Sequence, residues 1–369
     1  MTSWFRRYLL PGFVFQSIII AGGYGTGREL VEFFLQYGPV GGLLGMLLPV
    51  TLLMSATCMI AFELARVTRS YDYRSFLQQL LGRAWFLYEI GYLTAVLLIL
   101  AVIGAAAGTL LVETFAIPAG VGTIGLLIAI AFLAFKGTQL VEGFLSIWSF
   151  VLYAVYLTVF VFSMIKFGPA IAKSLSSTSA TSGWVMSGLR YGALQLSLVP
   201  AMLFATAHIS LREEALIAGA LAGPIAIIPG ILFFVAMLGH YPAILERPVP
   251  ANFMLQMLGS PILQITFQVV LIGTFLETGT GLIHAFNERI DGAFTAIGKR
   301  MPDFFRPLTA VLLLTGASLL SRLGLIDLIA VGYGAMTWVF IAILIVPLAT
   351  VGIWKVTRVC GVGPHQDID

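Results

Sequence analysis

Charge is scarce in this sequence. Only 10% of its 369 residues are Asp, Glu, Lys or Arg, whereas a soluble domain carries about 25%. Hydrophobic residues make up 59%, and the mean hydropathy is +0.99. So few polar groups cannot cover a folded surface in water, which excludes a soluble protein and makes the lipid bilayer the solvent. The net charge of +3 points to no nucleic acid, because the basic residues lie between apolar runs and form no patch. Cysteine is scarce too: Cys58 falls in an apolar run and Cys360 near the end, with neither a disulfide framework nor metal-ligand spacing. No G-x-x-x-x-G-K-[ST] motif is present, which argues against an ATP-driven pump. No pair of catalytic acids and no nucleophile constellation stands out, so neither an enzyme nor a cofactor is expected. No metal site and no obligate protein partner are expected either.

Long apolar runs fill the rest. A span needs roughly 20 apolar residues to cross about 30 Å, and ten runs qualify. The first covers residues 9–37 and is interrupted. The others are 41–64, 85–115, 121–135, 140–167, 185–209, 216–239, 261–290, 308–320 and 326–354. The basic start and apolar run of "MTSWFRRYLLPGFVFQSIII" lack an A-x-A-like cleavage site and read as an uncleaved first span. Lys and Arg concentrate at both ends and in the loops holding Arg66 to Arg83 and Lys299 to Arg306. The opposite loops hold only Lys166, Lys173, Arg190, Arg247 and Arg322. The basic side is the cytoplasmic one, so a cell-membrane protein with both termini inside is expected.

The hydropathy divides into residues 1–167, a first set of five spans; 168–184, a Ser/Thr-rich extracellular loop; 185–355, a second set of five; and 356–369, a cytoplasmic tail. Five is odd, so the second set enters the membrane upside down, the arrangement of a secondary transporter. Glycines four apart, Gly41 with Gly45, Gly104 with Gly108 and Gly219 with Gly223, are read as close helix packing within one bundle.

Both sets open on an interrupted helix. In "IIIAGGYGTGREL" four glycines fall in six residues, Gly22, Gly23, Gly25 and Gly27, and Arg28 and Glu29 follow. Backbone polar groups in lipid must be satisfied within the protein, so an open turn is tolerated only where it is buried or lines a cavity. Such a turn can offer N–H groups to an anion and carbonyls to a cation. The sixth span, "GALQLSLVPAMLFATAHIS", carries Pro200 at its middle, where proline breaks the hydrogen-bond ladder. The substrate site is therefore expected at Gly22, Gly23, Tyr24, Gly25, Thr26, Gly27 and Arg28 with Pro200 and Phe204, and with Tyr92 as a further wall. Arg28 can face a substrate carboxylate or pair with Glu32 four residues on.

Gly25-Thr26-Gly27 in a broken first helix resembles the Gly-x-Gly break of the amino acid–polyamine–organocation superfamily, and "AGGYGTGRE" resembles the YkvI-like membrane proteins. The resemblance implies an all-α, LeuT-type 5+5 inverted repeat of ten transmembrane helices, with helices 1 and 6 broken. It implies a secondary transporter, but the substrate does not follow from the fold, which hosts many; a small polar solute, an amino acid or related carboxylate, driven by Na+ or H+, is the expectation. Proton-driven members often carry a lysine in the fifth span; here Lys166 lies at its outer end. A metal-transporting branch would place an acid in the first break and methionine in the sixth span. The break has no acid within it, only Glu29 beside it, and Met202 follows Pro200 by two, so metal transport is not expected. In "TFLETGTGLIHAFNERIDG", Glu277, Gly281, His284, Glu288 and Asp291 share a helical face. In that fold the eighth helix meets the first at its break, which marks Glu277, Thr278 and Thr280 as coupling-ion residues. Glu277 can instead pair with Arg28. His284 reads as a packing residue, and Glu288, Arg289 and Asp291 as solvated. The rival reading is a ligand sensor that does not transport, like the spore germinant receptor subunits, which are similar in length and span number.

Overall fold

The computed structural model describes residues 3–20, 22–136, 138–177, 180–296, 298–302 and 304–361. Every regular element among them is a helix. Six helical segments are long and apolar enough to cross a membrane: Pro39–Thr68, Tyr73–Phe115, Val151–Ser176, Arg212–His240, Pro261–Gly292 and Leu325–Arg358. Shorter apolar helices include Leu10–Ile19 and Ala119–Lys136, with Trp184–Leu196 and Phe305–Leu320 beside them. Large apolar side chains stud the exterior, Leu52, Ile128, Ile165, Ile262 and Val331 among them, all exposed. In water so much exposed apolar surface would drive association; against lipid it is the expected coat.

The Trp85–Phe115 helix is apolar on all sides and is the most deeply buried of the spanning segments. Its 31 residues measure about 46 Å, longer than the bilayer core. It stops where Ala116 turns left-handed, two residues before Pro118. The Arg212–Met237 helix is fixed at its start by Glu214. That carboxylate accepts the free N–H groups of Ser210 (3.2 Å) and Leu211 (3.3 Å) and an Arg7 N–H (2.9 Å).

With no hydrophobic force between helices in lipid, close backbone approach does the packing. Arg212–Met237 lies along Pro39–Thr68. A Cβ on Gly219 would fall 2.5 Å from the Met59 Cα, and one on Gly223 2.6 Å from the Thr51 carbonyl oxygen. Gly104 and Gly108 meet Thr123 and Ala119 in the same way. These glycine pairs thus pack helices of one bundle. Leu10–Ile19 lies on Arg212–Met237, and Trp184–Leu196 on Pro39–Thr68. Each interrupted helix therefore rests on the helix that follows the other.

Two boundaries differ from expectation. The helix expected to stop at Phe167 runs through Pro169 to Ser177, so residues 168–177, expected in the loop, are helical. The expected tail from 356 starts inside the helix Ile353–Gly361; its residues 362–369 lie outside the described residues.

Candidate functional site

The first interruption is built by glycine and closed by Thr26. Leu10–Ile19 ends at Ile20, a single turn covers Gly22–Gly25, and the helix resumes at Arg28–Phe33. Gly27 holds φ at +77°, where a Cβ is strained. The Thr26 hydroxyl donates to the Gly23 carbonyl (2.8 Å) and accepts the Arg28 N–H (3.3 Å). The Thr26 carbonyl accepts the N–H of Ala251 (3.0 Å). Its polar atoms thus hold the turn itself. Gly25 faces Leu271 of the Pro261–Ala296 helix, whose Cδ1 lies 2.5 Å from where a Cβ would stand.

Arg28 is turned toward other parts of the chain. Its guanidinium donates to the carbonyls of Leu245 (2.8 Å) and Arg247 (3.2 Å) and to the Glu32 carboxylate (3.0 Å). The side chain is 7% exposed. A substrate carboxylate was expected opposite this guanidinium; a distant turn, Ala243–Glu246, and Arg247 after it bring carbonyls to its terminal nitrogens, while its Nε has no partner. The alternative Glu277 pair is not formed either.

The second interruption lies slightly before Pro200. Trp184–Leu196 ends at Ser197, and the chain resumes as Val199–Met202 with Pro200 buried in its first turn, where a missing N–H is harmless. The freed Ser197 carbonyl accepts the Tyr88 hydroxyl (2.5 Å). Phe204, expected as a wall, is 63% exposed and lines no part of the cavity described next.

A cavity of about 40 Å³ lies where the interruptions meet. One water needs about 10–15 Å³ on this measure, so it holds a few. Ile19 and Glu29 come from the first helix and Gln195 and Ser197 from the sixth; Tyr92 and Tyr333 add phenols, and the remaining lining is apolar. Glu29 is 4% exposed and accepts one hydrogen bond from Gln195 Nε2 (3.2 Å). A Cβ on Gly23 would overlap its Oε1, so only glycine lets this carboxylate lie against the turn. Tyr24 is fully buried beside Gly230, its hydroxyl without a partner.

Glu29 and Gln195 were absent from the expected site. Glu29 follows the glycine run directly, which is a usable signal. Gln195 was only one of several polar residues in its span, and nothing in the sequence pairs it with Glu29.

The Pro261–Ala296 helix touches the Gly22–Gly25 turn, as expected. Glu277 and Thr278 are half-buried, while Thr280 is buried with its hydroxyl unpartnered. None of the three lines the cavity; Leu282, further along, does. His284 is exposed, not packed. Glu288 and Asp291 make solvated contacts with Arg306 (3.4 and 3.8 Å). Arg289, expected to be solvated, is not: its side chain is 8% exposed, pairs with Glu89 (3.0 Å), and stacks on the rings of Tyr73 (3.9 Å) and Tyr92 (3.6 Å). Because Tyr92 also lines the cavity, this stack closes the bundle on that side.

No family model matches the sequence. The chain is similar to the uncharacterized membrane protein YkvI of Bacillus subtilis (strain 168), with 30% identity over 219 residues. That segment is 57% of this chain and spans 60% of the relative's length. In three dimensions it is similar to the manganese transporter of Eremococcus coleocola in complex with an aromatic bis-isothiourea substituted compound. The TM-score is 0.57 at 18% identity, covering 94% of this chain and 80% of that one. A mutant of the same transporter gives a TM-score of 0.55 at 15% identity, over 99% of this chain and 90% of that one. At this identity the likeness shows a shared fold, the LeuT-type transporter fold expected from the sequence, and nothing about cargo.

Proposed function

We propose that this chain is a secondary active transporter of a small polar solute, working by alternating access. The observation that carries the reading is the cavity at the meeting of two helix interruptions, bridged by Glu29 and Gln195. Transporters place substrate at such discontinuous helices between inverted repeats. The crossed packing, each interrupted helix on the other's successor, supports ten spans in two inverted repeats; the Lys and Arg bias of the loops favours both termini cytoplasmic. At about 40 Å³ the cavity is too small for an amino acid, so loading requires it to open.

An amino acid or related carboxylate is the substrate class proposed. The polar groups at the cavity are the Glu29 carboxyl, the Gln195 amide, Ser197 and the phenols of Tyr92 and Tyr333, hydrogen-bonding groups that suit a small polar solute once the cavity opens. The driving ion is Na+ or H+, with Glu277, Thr278 and Thr280 proposed to take part beside the Gly22–Gly25 turn.

The test is uptake of labelled amino acids into liposomes containing the purified protein, under an imposed Na+ or pH gradient. Accumulation that collapses with one of the gradients is the expected result. A solute that binds tightly but is accumulated under neither gradient refutes transport and leaves a ligand sensor.

A further inference from the structure

We propose that Glu29 is the site at which this protein binds and releases a proton, at the junction of the two helix interruptions. The proposal rests on the transporter reading for its purpose, but not for its test.

The argument begins with a comparison among buried carboxylates. Three glutamates among the described residues are buried: Glu29, Glu63 and Glu214. Glu63 is held by both ends of the Arg66 guanidinium (2.7 Å each), and Glu214 by Arg7 (2.9 Å) and two backbone N–H groups. Each has a cation. Glu29 has only the neutral amide of Gln195. Its chain neighbour Arg28 donates from its terminal nitrogens to Leu245, Arg247 and Glu32 and makes no ion pair with Glu29.

The charged groups on the surrounding elements are turned elsewhere, Arg190 to Thr337 (3.5 Å) and Arg289 to Glu89 (3.0 Å), and neither they nor Glu277 line the cavity. Tyr24 faces it from the Gly22–Gly25 turn, Tyr156 from the Thr138–Ser177 helix, Tyr191 from Trp184–Leu196 and Tyr333 from the turn Leu328–Tyr333. Tyr92 stands across the cavity. All are neutral phenols. An unpaired carboxylate there is several kcal/mol uphill, so in this closed form the group is an acid. A carboxylic acid and a primary amide are complementary: the acid O–H can donate to the amide oxygen while its carbonyl accepts the amide N–H.

Two other cations fit poorly. A metal ion needs several ligands, and no group of three His, Cys, Asp or Glu side chains comes together among the described residues. An organic ammonium is excluded from the closed form by the small apolar cavity. The site is nonetheless reachable, because Glu29 lines that cavity. When the cavity opens to water the carboxylate can be solvated and the proton leaves; when it closes, the O–H bond has formed with a proton taken from the open side. Carboxylate and proton give carboxylic acid, with no other bond made or broken.

The experiment is infrared difference spectroscopy of the purified protein in lipid, stepped between acid and alkaline pH in H2O and in D2O. A protonated-carboxyl band that shifts with deuteration is expected in the parent, and its loss, one titrating carboxyl per chain, in Glu29→Gln. Glu213→Gln, which removes an exposed carboxyl, should retain it. Gln195→Leu keeps the acid and removes its partner, so the band should persist at a changed frequency; this covers the case in which Glu29→Gln fails to fold. A band unchanged in Glu29→Gln, or unmoved in Gln195→Leu, overturns the proposal. Since no substrate is used, a Glu29 band in a protein that accumulates nothing would refute transport but not the proton site. Gradient-driven uptake with no Glu29 band would do the reverse.

Discussion

Replacing Arg28 by methionine separates a structural clamp from a substrate ligand. The guanidinium makes three hydrogen bonds, at 2.8, 3.2 and 3.0 Å, with its side chain 7% exposed. Bonds to a charged group contribute about 1.5–3 kcal/mol each, but bonds sharing one group do not add. Removing one partner of a buried pair costs about 3–5 kcal/mol. Glu32 is 19% exposed and recovers part of its solvation, which sets the expectation near the low end, about 3 kcal/mol. Glu32→Gln in the same chain should return about 1 kcal/mol of this, because no buried carboxylate is then left unpaired. The assay is equilibrium unfolding in mixed micelles, followed by far-ultraviolet circular dichroism, for the parent, both single variants and the double. Ligand affinity per folded molecule should be unchanged. An Arg28 waiting for a substrate carboxylate would behave oppositely. Its removal would leave stability within about 0.5 kcal/mol of the parent, or raise it, and abolish affinity. That pattern would refute the clamp.

Further outcomes follow from other places in the fold. Gly25→Leu should insert into the membrane but lose uptake, since its Cβ would stand 2.5 Å from Leu271 Cδ1 and 3.4 Å from the Tyr156 hydroxyl; normal uptake by a well-expressed variant would show that this contact is dispensable. Ser182→Cys, exposed in the short loop after the helix ending at Ser177, should react with an impermeant thiol reagent on intact cells; labelling only after lysis reverses the proposed orientation. Asp72 caps the Tyr73–Leu81 helix by accepting the Ser75 N–H (2.9 Å), so Asp72→Ala should destabilise by about 1 kcal/mol at neutral pH. Burial raises the Asp72 carboxyl, but the Ser75 hydroxyl and backbone N–H outweigh it and hold the group below the ordinary aspartate range. Its contribution is therefore full above the unfolded-state value and is lost as the pH falls through the depressed one. Parent and variant stabilities that fail to converge in acid would contradict this.

The fold was more legible than the site. Apolar runs and caps are local, so helices such as Ala119–Lys136 and Phe305–Leu320 start and stop close to where the residue pattern implies. The glycine run and Pro200 marked both interruptions for the same reason: each acts on its own backbone. The side chains that define the site find partners far along the chain. Arg28 meets carbonyls 217 and 219 residues away. A carbonyl is carried by every residue, so the sequence holds no signature of that contact. Arg289 is buried because Glu89, 200 residues earlier, meets it and two tyrosine rings enclose it. Glu29 was noticed only as a neighbour of the glycines. The empty space at Gly23 that admits its carboxylate exists only in three dimensions.

The attachment of the first interrupted helix to the distant Pro-rich hairpin also has a kinematic consequence. Arg28 is tied to Leu245 and Arg247, and the Thr26 carbonyl to the N–H of Ala251. At the far end, Lys166 holds the carbonyls of Met257 (3.0 Å) and Leu258 (2.8 Å). The half-helix Arg28–Phe33 is thereby held to residues 245–251, and the end of Pro250–Leu258 to the Thr138–Ser177 helix that carries Lys166, so the three are expected to move together. A pair of probes, one on Arg28–Phe33 and one on Pro250–Leu258, should keep a constant separation throughout a transport cycle.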